Sequence, residues 1–322
     1  MMDWSDTHCR VFWRLLSKHA RLYTEMINTG AILRGDRQRF LRFDASEAPL
    51  ALQVGGSNPA HLAECARIAE DWGFAEINLN CGCPSDRVQE GRIGACLMAE
   101  PALVAECVAA MKAACGIAVT VKHRIGIDDL DTPEHLHQFV SLSAQAGCEV
   151  FSVHARKAWL QGLSPKQNRE IPPLDYQRVM DLKTAFPALT IVINGGITQL
   201  GECHNLLTSL DGVMMGREAY HNPYVLAPVD AELFASAIPV KSREQVFDEF
   251  VAYTEHQLQN GVRLHPLTRH ILGLFLGQPG GRVFRRYLSE QASNKAADAN
   301  TLRAAFNAMQ ETAHCVASSQ TS

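Results

Sequence analysis

The chain has 322 residues, of which 47% are hydrophobic, and a formal net charge of −4; that is enough apolar material for one large core and a second, smaller one. It contains no run of about eighteen apolar residues, and its first residues, Asp3, Trp4 and Asp6 among them, do not make a basic-then-apolar leader, which excludes a membrane-spanning helix and a secretory signal and leads us to expect a cytoplasmic protein. The acidic balance excludes a general affinity for nucleic acid, since phosphate binding needs clustered Lys and Arg, so any RNA site has to be a local patch.

A helical pattern opens the chain at Thr7–His19. Apolar runs with strand character follow at Leu22–Glu25, Leu50–Val54, Glu76–Asn80, Val119–Lys122, Val150–His154, Ile191–Gly195 and Gly212–Gly216, each succeeded by a helical pattern. Alternation of this kind implies parallel strands joined by helical crossovers. Several runs end in a polar residue (Glu25, Asn80, Lys122, His154, Asn194), and barrel enzymes place their chemistry at the C-terminal ends of their strands. The expected fold is therefore α/β, a TIM (β/α)8-type barrel. Eight strands close such a barrel. The helix at Thr7–His19 is the one that would follow the first of them, so that strand is expected to be truncated upstream of Met1.

Beyond Gly216 the pattern changes. Asn222-Pro223 and Pro228 mark one break and Ile238-Pro239 another, and after Ser242 only helical periodicity remains. The domain boundary is placed near residue 230, giving a barrel catalytic domain over 1–230 and an all-helical domain over 231–322. No repeat of solenoid period is evident, and only the tail after Val316 is low in complexity. The chain's ten cysteines, including Cys65, Cys107, Cys115, Cys148 and Cys203, are scattered through core-like segments and are expected mostly as buried small hydrophobes.

The most specific motif is Asn78-Leu79-Asn80-Cys81-Gly82-Cys83-Pro84-Ser85, running on through Val88, Gly91, Gly94, Ala95, Leu97 and Met98. Gly82 and Pro84 make a tight turn at a strand end and hold Cys83 at the barrel mouth, where a thiol can give a proton. The alternatives are a buried structural cysteine or half of a Cys-x-Cys metal pair with Cys81. No second Cys or His pair follows at zinc spacing, so no metal is expected.

Asn194-Gly195-Gly196-Ile197 closes one strand and Gly216-Arg217 the next, matching the two loops that bind phosphate at the top of many barrels. Glycines there let backbone N–H groups approach an anion, and Arg217 adds charge-assisted hydrogen bonds; together they suit the phosphate of a bound cofactor. Gln53-Val54-Gly55-Gly56, Val121-Lys122-His123-Arg124 and Val153-His154-Ala155-Arg156 each bring polar groups to a strand end. The stretch from His154 to Tyr176 is a long loop dense in Arg, Lys and Asn, and long loops in a compact domain tend to be functional; Lys166 and Arg169 are its candidates to touch RNA. In the helical domain Arg263, Arg269, Arg282, Arg285 and Arg286 occur with no Asp or Glu between Gly261 and Leu288, which is the local basic patch that the net charge demands.

These motifs, together with Asp3-Trp4-Ser5-Asp6-Thr7-His8-Cys9-Arg10, Tyr23-Thr24-Glu25-Met26 and the Gly277-Gln278-Pro279-Gly280-Gly281-Arg282 ending, resemble the tRNA-dihydrouridine synthase family, in its A subfamily, along nearly the whole chain. The resemblance implies that Cys83 is the catalytic acid, that Gln53 lies at the isoalloxazine edge of FMN and Lys122 near its N1 and ribityl region, and that His154 sits at the phosphate side or the uracil. It implies uracil contacts from Asn80, Arg124 and His154, and tRNA backbone contacts from Arg282, Arg285 and Arg286. Family members carry a short strand and an Ala-Pro-Met turn against the flavin, of which only Met1 and Met2 remain here. The implied reaction is reduction of uridines 20 and 20a of the tRNA D-loop, with NADPH (or NADH) as donor. The donor is expected to visit transiently, since no Gly-x-Gly-x-x-Gly fingerprint follows a strand. No protein partner is implied. Two other readings stay open: a barrel flavoenzyme of the dihydropyrimidine or dihydroorotate dehydrogenase kind acting on a free base, and a flavin-free tRNA-binding protein left by loss of the first strand.

Overall fold

Polar and apolar residues alternate along the strands of the first of two compact units. In the computed structural model, which describes residues 1–85 and 91–320, the strands are β1 (Leu22–Tyr23), β2 (Ile27–Asn28), β3 (Leu50–Gly55), β4 (Glu76–Cys81), β5 (Ala118–Arg124), β6 (Val150–His154), β7 (Thr190–Asn194) and β8 (Gly212–Met214). Val88, within the motif that carries Cys83, lies outside the described residues. Every pairing is parallel, in the order β1-β3-β4-β5-β6-β7-β8, with β2 also on β3. The strands form a curled half-barrel ringed by helices, a TIM-type arrangement, and its described edges are β1 with β2 on one side and β8 on the other.

Six of the seven sequence-expected runs become strands within two residues of their expected ends; the first does not. Leu22–Glu25 is split, and the ladder resumes at β2. The reason is local: the Oγ1 of Thr24, just beyond β1, accepts the Gln53 amide at 3.0 Å, so a side chain takes up a hydrogen bond of the β3 backbone.

Side chains alternate faces along a strand. Ile77, Leu79, Val121, Phe151 and Ile191 are fully buried on the face that the helices Pro59–Asp71, Pro101–Ala114, Pro133–Gln145 and Tyr176–Ala185 cover. Three of these helices start where a side chain caps them: Asn58 accepts from His61 N, Thr132 from His135 N and Asp175 from Arg178 N, with Pro at the first helical position after Asn58 and Thr132. The other face carries Gln53, Glu76, Asn78, Asn80, Thr120, Lys122, Ser152, His154 and Asn194, in registers that place Gln53 beside Asn78, Asn78 beside Thr120, Asn80 beside Lys122 and His154 beside Asn194. The half-barrel interior is therefore polar, and its core lies between sheet and helices.

The first unit comprises Met1–Asp3 and Arg21–Gly216, the second Trp4–Ala20 and Arg217–Ser322. The division thus falls at Gly216–Arg217 and not near residue 230, and the opening helix, Thr7–Leu16, belongs with the helical unit and not with the barrel. Packing explains both differences. Trp13 Nε1 donates to Ala219 O at 2.7 Å, Asp230 accepts from Ser17 Oγ at 2.5 Å and from Lys18 N at 2.6 Å, and Phe12 meets Phe250 edge-on at 5.2 Å. The core of this unit is aromatic: Phe247 stacks on Phe306 at 4.7 Å and Phe275 meets Phe284 at 4.9 Å.

All ten cysteines are free, and six of them (Cys9, Cys65, Cys81, Cys107, Cys148, Cys203) are buried, in keeping with a hydrophobic role; Cys115 is only half-buried. Among the described residues no group of His, Cys, Asp or Glu is arranged to hold a metal ion, and no helix is long and apolar enough to cross a membrane.

Candidate active site

The polar residues at the strand ends converge at the C-terminal mouth of the half-barrel. β4 stops at Cys81, and the next two amides turn back: Asn80 Oδ1 accepts from Gly82 N at 3.0 Å and from Cys83 N at 2.9 Å. The carbonyl of Cys83 accepts from Ala95 N at 2.8 Å, which ties the turn to the segment Gly94–Ala99. Cys83 is half-buried in this turn, whereas Cys81 is wholly enclosed, its thiol pushed well up by burial. Two residues apart, the two cysteines sit in different surroundings. Of the two, only Cys83 keeps some exposure to solvent.

Arg124, at the end of β5, is 4% exposed. Its Nε donates to Gly82 O at 2.8 Å, and its Nη1 to Lys157 O and Asn168 O at 3.1 Å each. One guanidinium therefore joins the Cys83 turn to the long loop after β6. That loop is organised further by the buried Asn168, whose amide donates to Trp159 O and Leu163 O and accepts from Trp159 N. Lys157 lies 4.0 Å over the Trp159 ring and 2.9 Å from Asp131. Of the loop residues expected to meet RNA, Lys166 is exposed and Arg169 half-buried.

Lys122 points its Nζ at Asn194 Oδ1, 3.1 Å away, and Asn194 Nδ2 in turn donates to Met214 O at 2.7 Å, so β5, β7 and β8 are linked by side chains at the mouth. Burial, then the neighbouring Arg124 charge, push the Lys122 pKa down to about 8. Arg124 is lowered to about 10 by burial, with the guanidinium groups of Arg169 and Arg156 adding to the effect. No carboxylate pairs with Lys122 or Arg124 among the described residues. Lys122 and Arg124 thus bring poorly solvated positive charge to the strand ends, which suits an anion.

After β7, Gly195 and Gly196 adopt φ of 118° and 74°, values that L side chains rarely reach. A Cβ on Gly195 would lie 3.3 Å from His154 Nε2, and one on Gly196 only 2.5 Å from Leu174 Cδ1. Tyr176 OH donates to Gly195 O at 2.6 Å and holds the turn open. Gly216 follows β8, while Arg217 begins the short helix Arg217–His221 of the second unit. Met1 is half-buried and Met2 is 58% exposed; Asp3 N next to them donates to Glu25, which lies between β1 and β2.

In the second unit Arg282, Arg285 and Arg286 are all exposed on the helix Gly281–Gln291, spaced to share one face, and none has an acidic partner among the described residues. Arg269, counted in the same patch, is different: it binds Asp6 at 2.7 Å. The acid missing from its own segment comes from the start of the chain.

Sequence reasoning named the strand-end residues, Arg156 among them, and quoted Asn78 within the Cys83 motif, but gave no role to Glu76, Asn78 and Thr120 inside the half-barrel or to Tyr176. The available signal was the strict alternation in Glu76-Ile77-Asn78-Leu79-Asn80 and Val119-Thr120-Val121-Lys122, which marks a polar inner face.

Comparison with known proteins gives a consistent result. The chain matches the dihydrouridine synthase (Dus) family over residues 1–310. It is 58% identical over 307 residues to a tRNA-dihydrouridine(20/20a) synthase of Vibrio vulnificus, covering 95% of this chain and 94% of that protein. It is 60% identical over 289 residues to the enzyme of that name from Pseudomonas syringae pv. tomato (90% and 86% covered), and 55% identical over 308 residues to that of Synechocystis sp. (96% and 92% covered). Among solved structures, a 2-naphthoyl-CoA reductase in complex with 2-naphthoyl-CoA superposes with a TM-score of 0.51 at 11% identity, over 71% of this chain and 47% of that one. The chain spans about half the length of that structure, and the likeness is one of fold alone.

Proposed function

The chain belongs to the dihydrouridine synthase family, and from that premise we propose that it reduces the 5,6 double bond of D-loop uridines 20 and 20a in cytoplasmic tRNA, with FMN as cofactor and NADPH (or NADH) as electron source. The observation that carries this reading is the convergence of Cys83 with Gln53, Asn80, Lys122, His154 and the Asn194–Gly196 turn at one strand-end mouth.

The residues present suit FMN. Lys122 is a poorly solvated cation with no carboxylate partner among the described residues, and Gly195 and Gly196, at positive φ beside His154 and Leu174, form a turn next to it that no L side chain could adopt without strain. Lys122, Asn194, Gly195, Gly196, Gly216 and His154 are assigned to the phosphate and ribityl side, with Gln53 at the ring edge. Arg217 and the Met1-Met2 segment are further candidate contacts. When bound, FMN supplies the hydride for C6 of the uracil.

The chain's own groups do the rest. Cys83 holds a proton for C5, presented by a turn that Asn80 and Arg124 fix from both sides. A uracil edge is reached only once the base leaves its stack, and Asn80 and His154 are assigned to receive it. Arg124, with Nε and Nη1 on backbone carbonyls, shapes that pocket through the loops it joins. Lys166 and Arg169 on the long loop, and Arg282, Arg285 and Arg286 on the helical unit, supply the phosphate contacts of tRNA.

The test is the visible spectrum of the purified protein with FMN, followed by NADPH without oxygen and then by unmodified tRNA. Flavin peaks that bleach with NADPH and return with tRNA support the reading. Failure to bind FMN, or return of the peaks on free uracil but not on tRNA, contradicts it.

A further inference from the structure

An unbroken chain of hydrogen bonds runs through the interior of the half-barrel, from Arg21 before β1 to the Cys83 turn at the mouth. Arg21 Nη1 and Tyr23 OH donate to Glu76 at 2.5 and 2.9 Å, and Thr120 Oγ1 donates to Glu76 Oε1 at 2.6 Å. Asn78 Nδ2 donates to Thr120 Oγ1 at 2.7 Å, Gln53 Nε2 to Asn78 Oδ1 at 2.9 Å, and Asn80 Nδ2 to Gln53 Oε1 at 2.8 Å. Asn80 Oδ1 then accepts the amides of Gly82 and Cys83.

The order of donors along this chain is forced. A side-chain amide taken alone can sit either way round, since its oxygen and nitrogen are alike in size. The ends remove that freedom. Backbone N–H groups only donate, so Asn80 has to show them its oxygen, and its nitrogen then faces Gln53. Each following amide is turned by the one before. Thr120 accepts from Asn78 and has one hydrogen, which must pass to a group that only accepts. Glu76 is that group, 2% exposed and balanced by Arg21. Reversing any link would leave buried donors facing donors, which is costly in a low-dielectric interior.

We propose that Thr120 and Glu76 are positioning residues for the reaction: by terminating this chain they set the orientation of Asn78, Gln53 and Asn80, and so hold the Cys83 turn, and its thiol, in place at the mouth. The inference rests on the reading of Cys83 as proton donor given above. Tyr23 fits the arrangement, because burial and the Glu76 charge push its phenol pKa well up and keep it a donor.

Thr120→Val keeps the side-chain shape and removes the hydroxyl. With flavin bound, the turnover number on tRNA is expected to fall roughly tenfold to a hundredfold, and Thr120→Ser restores it. In flavin-free protein, alkylation of Cys83 by iodoacetamide, read by peptide mass mapping against the exposed Cys315, is expected to quicken roughly threefold or more as the turn loosens. Unchanged turnover and unchanged alkylation in Thr120→Val, alongside an inactive Cys83→Ala, overturn the relay and leave the site reading standing. A fully active Cys83→Ala overturns the site reading itself. Should Thr120→Val not fold, Glu76→Gln, which exchanges one acceptor for a donor, carries the same expectations and the same contradicting result.

Discussion

Arg124 Nε lies 2.8 Å from the carbonyl oxygen of Gly82, so the residue that closes β5 holds the residue before Cys83. The same guanidinium holds the long loop at Lys157 and Asn168. A lysine could reach one of these carbonyls but not span them in a plane. Arg124→Lys is therefore expected to loosen both segments, at a cost of about 1–3 kcal/mol for each buried carbonyl left unpaired. Limited proteolysis should show faster cleavage within residues 155–175, and tRNA turnover should fall by about tenfold or more. Proteolysis and turnover equal to the parent's would show that the loops are held by other means.

Lys122 gives a pH signature. Its pKa is pushed down to about 8 in the folded protein from 10.5, so between these values the unfolded chain binds more protons and stability rises with pH. Below about pH 8 the lysine is charged in both states and the full penalty of holding that charge inside is present. Flavin-free Lys122→Met should then have a higher urea midpoint than the parent at pH 7, and that advantage should shrink as pH rises from 8 to 10.5. A difference independent of pH would place its origin in packing instead.

Gly196 has no room for a side chain. With φ at 74° and a Cβ position 2.5 Å from Leu174 Cδ1, Gly196→Ala is expected to distort the turn after β7. A left-handed conformation costs an L residue about 1–2 kcal/mol, which converts to roughly five- to thirtyfold in FMN dissociation constant if the turn moves to relieve it. Quenching of FMN fluorescence on titration measures this, and an unaltered constant would remove the turn from the cofactor site.

The arginine face of the helix Gly281–Gln291 is expected to act through phosphates. Each phosphate neutralised contributes a slope of about −0.7 to −0.9 in log K against log salt, so Arg285→Ala with Arg286→Ala should flatten the slope for tRNA by roughly 1.5. Binding of all tRNA sequences should weaken alike. A double variant with the parent's slope would rule out this face.

Much of the architecture is legible in the sequence because its strands are short apolar runs ending in polar residues, and β3 to β7 fall where those runs stand. The Gly82-Cys83-Pro84 turn and the Gly195-Gly196 turn could be located because glycine and proline punctuate strand ends. Other features depend on tertiary packing. The helix at Thr7–Leu16 looks like a barrel helix from its position, yet Trp13, Ser17 and Asp6 bind residues more than two hundred positions away. Arg269 looks unopposed until Asp6 is brought to it. The strand at Leu22–Glu25 is interrupted by a side-chain hydrogen bond that no propensity reveals. The inner polar residues were in view as an alternating pattern, but their joining into one chain depends on register, which pairs Asn78 with Thr120 and Gln53 with Asn78.

The central claim, that Cys83 gives the proton in uridine reduction, is tested most directly by quantifying dihydrouridine at positions 20 and 20a of unmodified tRNA, with NADPH and FMN, for the parent and for Cys83→Ala. The parent should form dihydrouridine at those positions. Cys83→Ala should still bind FMN and bleach with NADPH, yet form product roughly a hundredfold or more slowly, as expected when a positioned acid is removed. Equal rates of product formation by the two proteins would contradict the account.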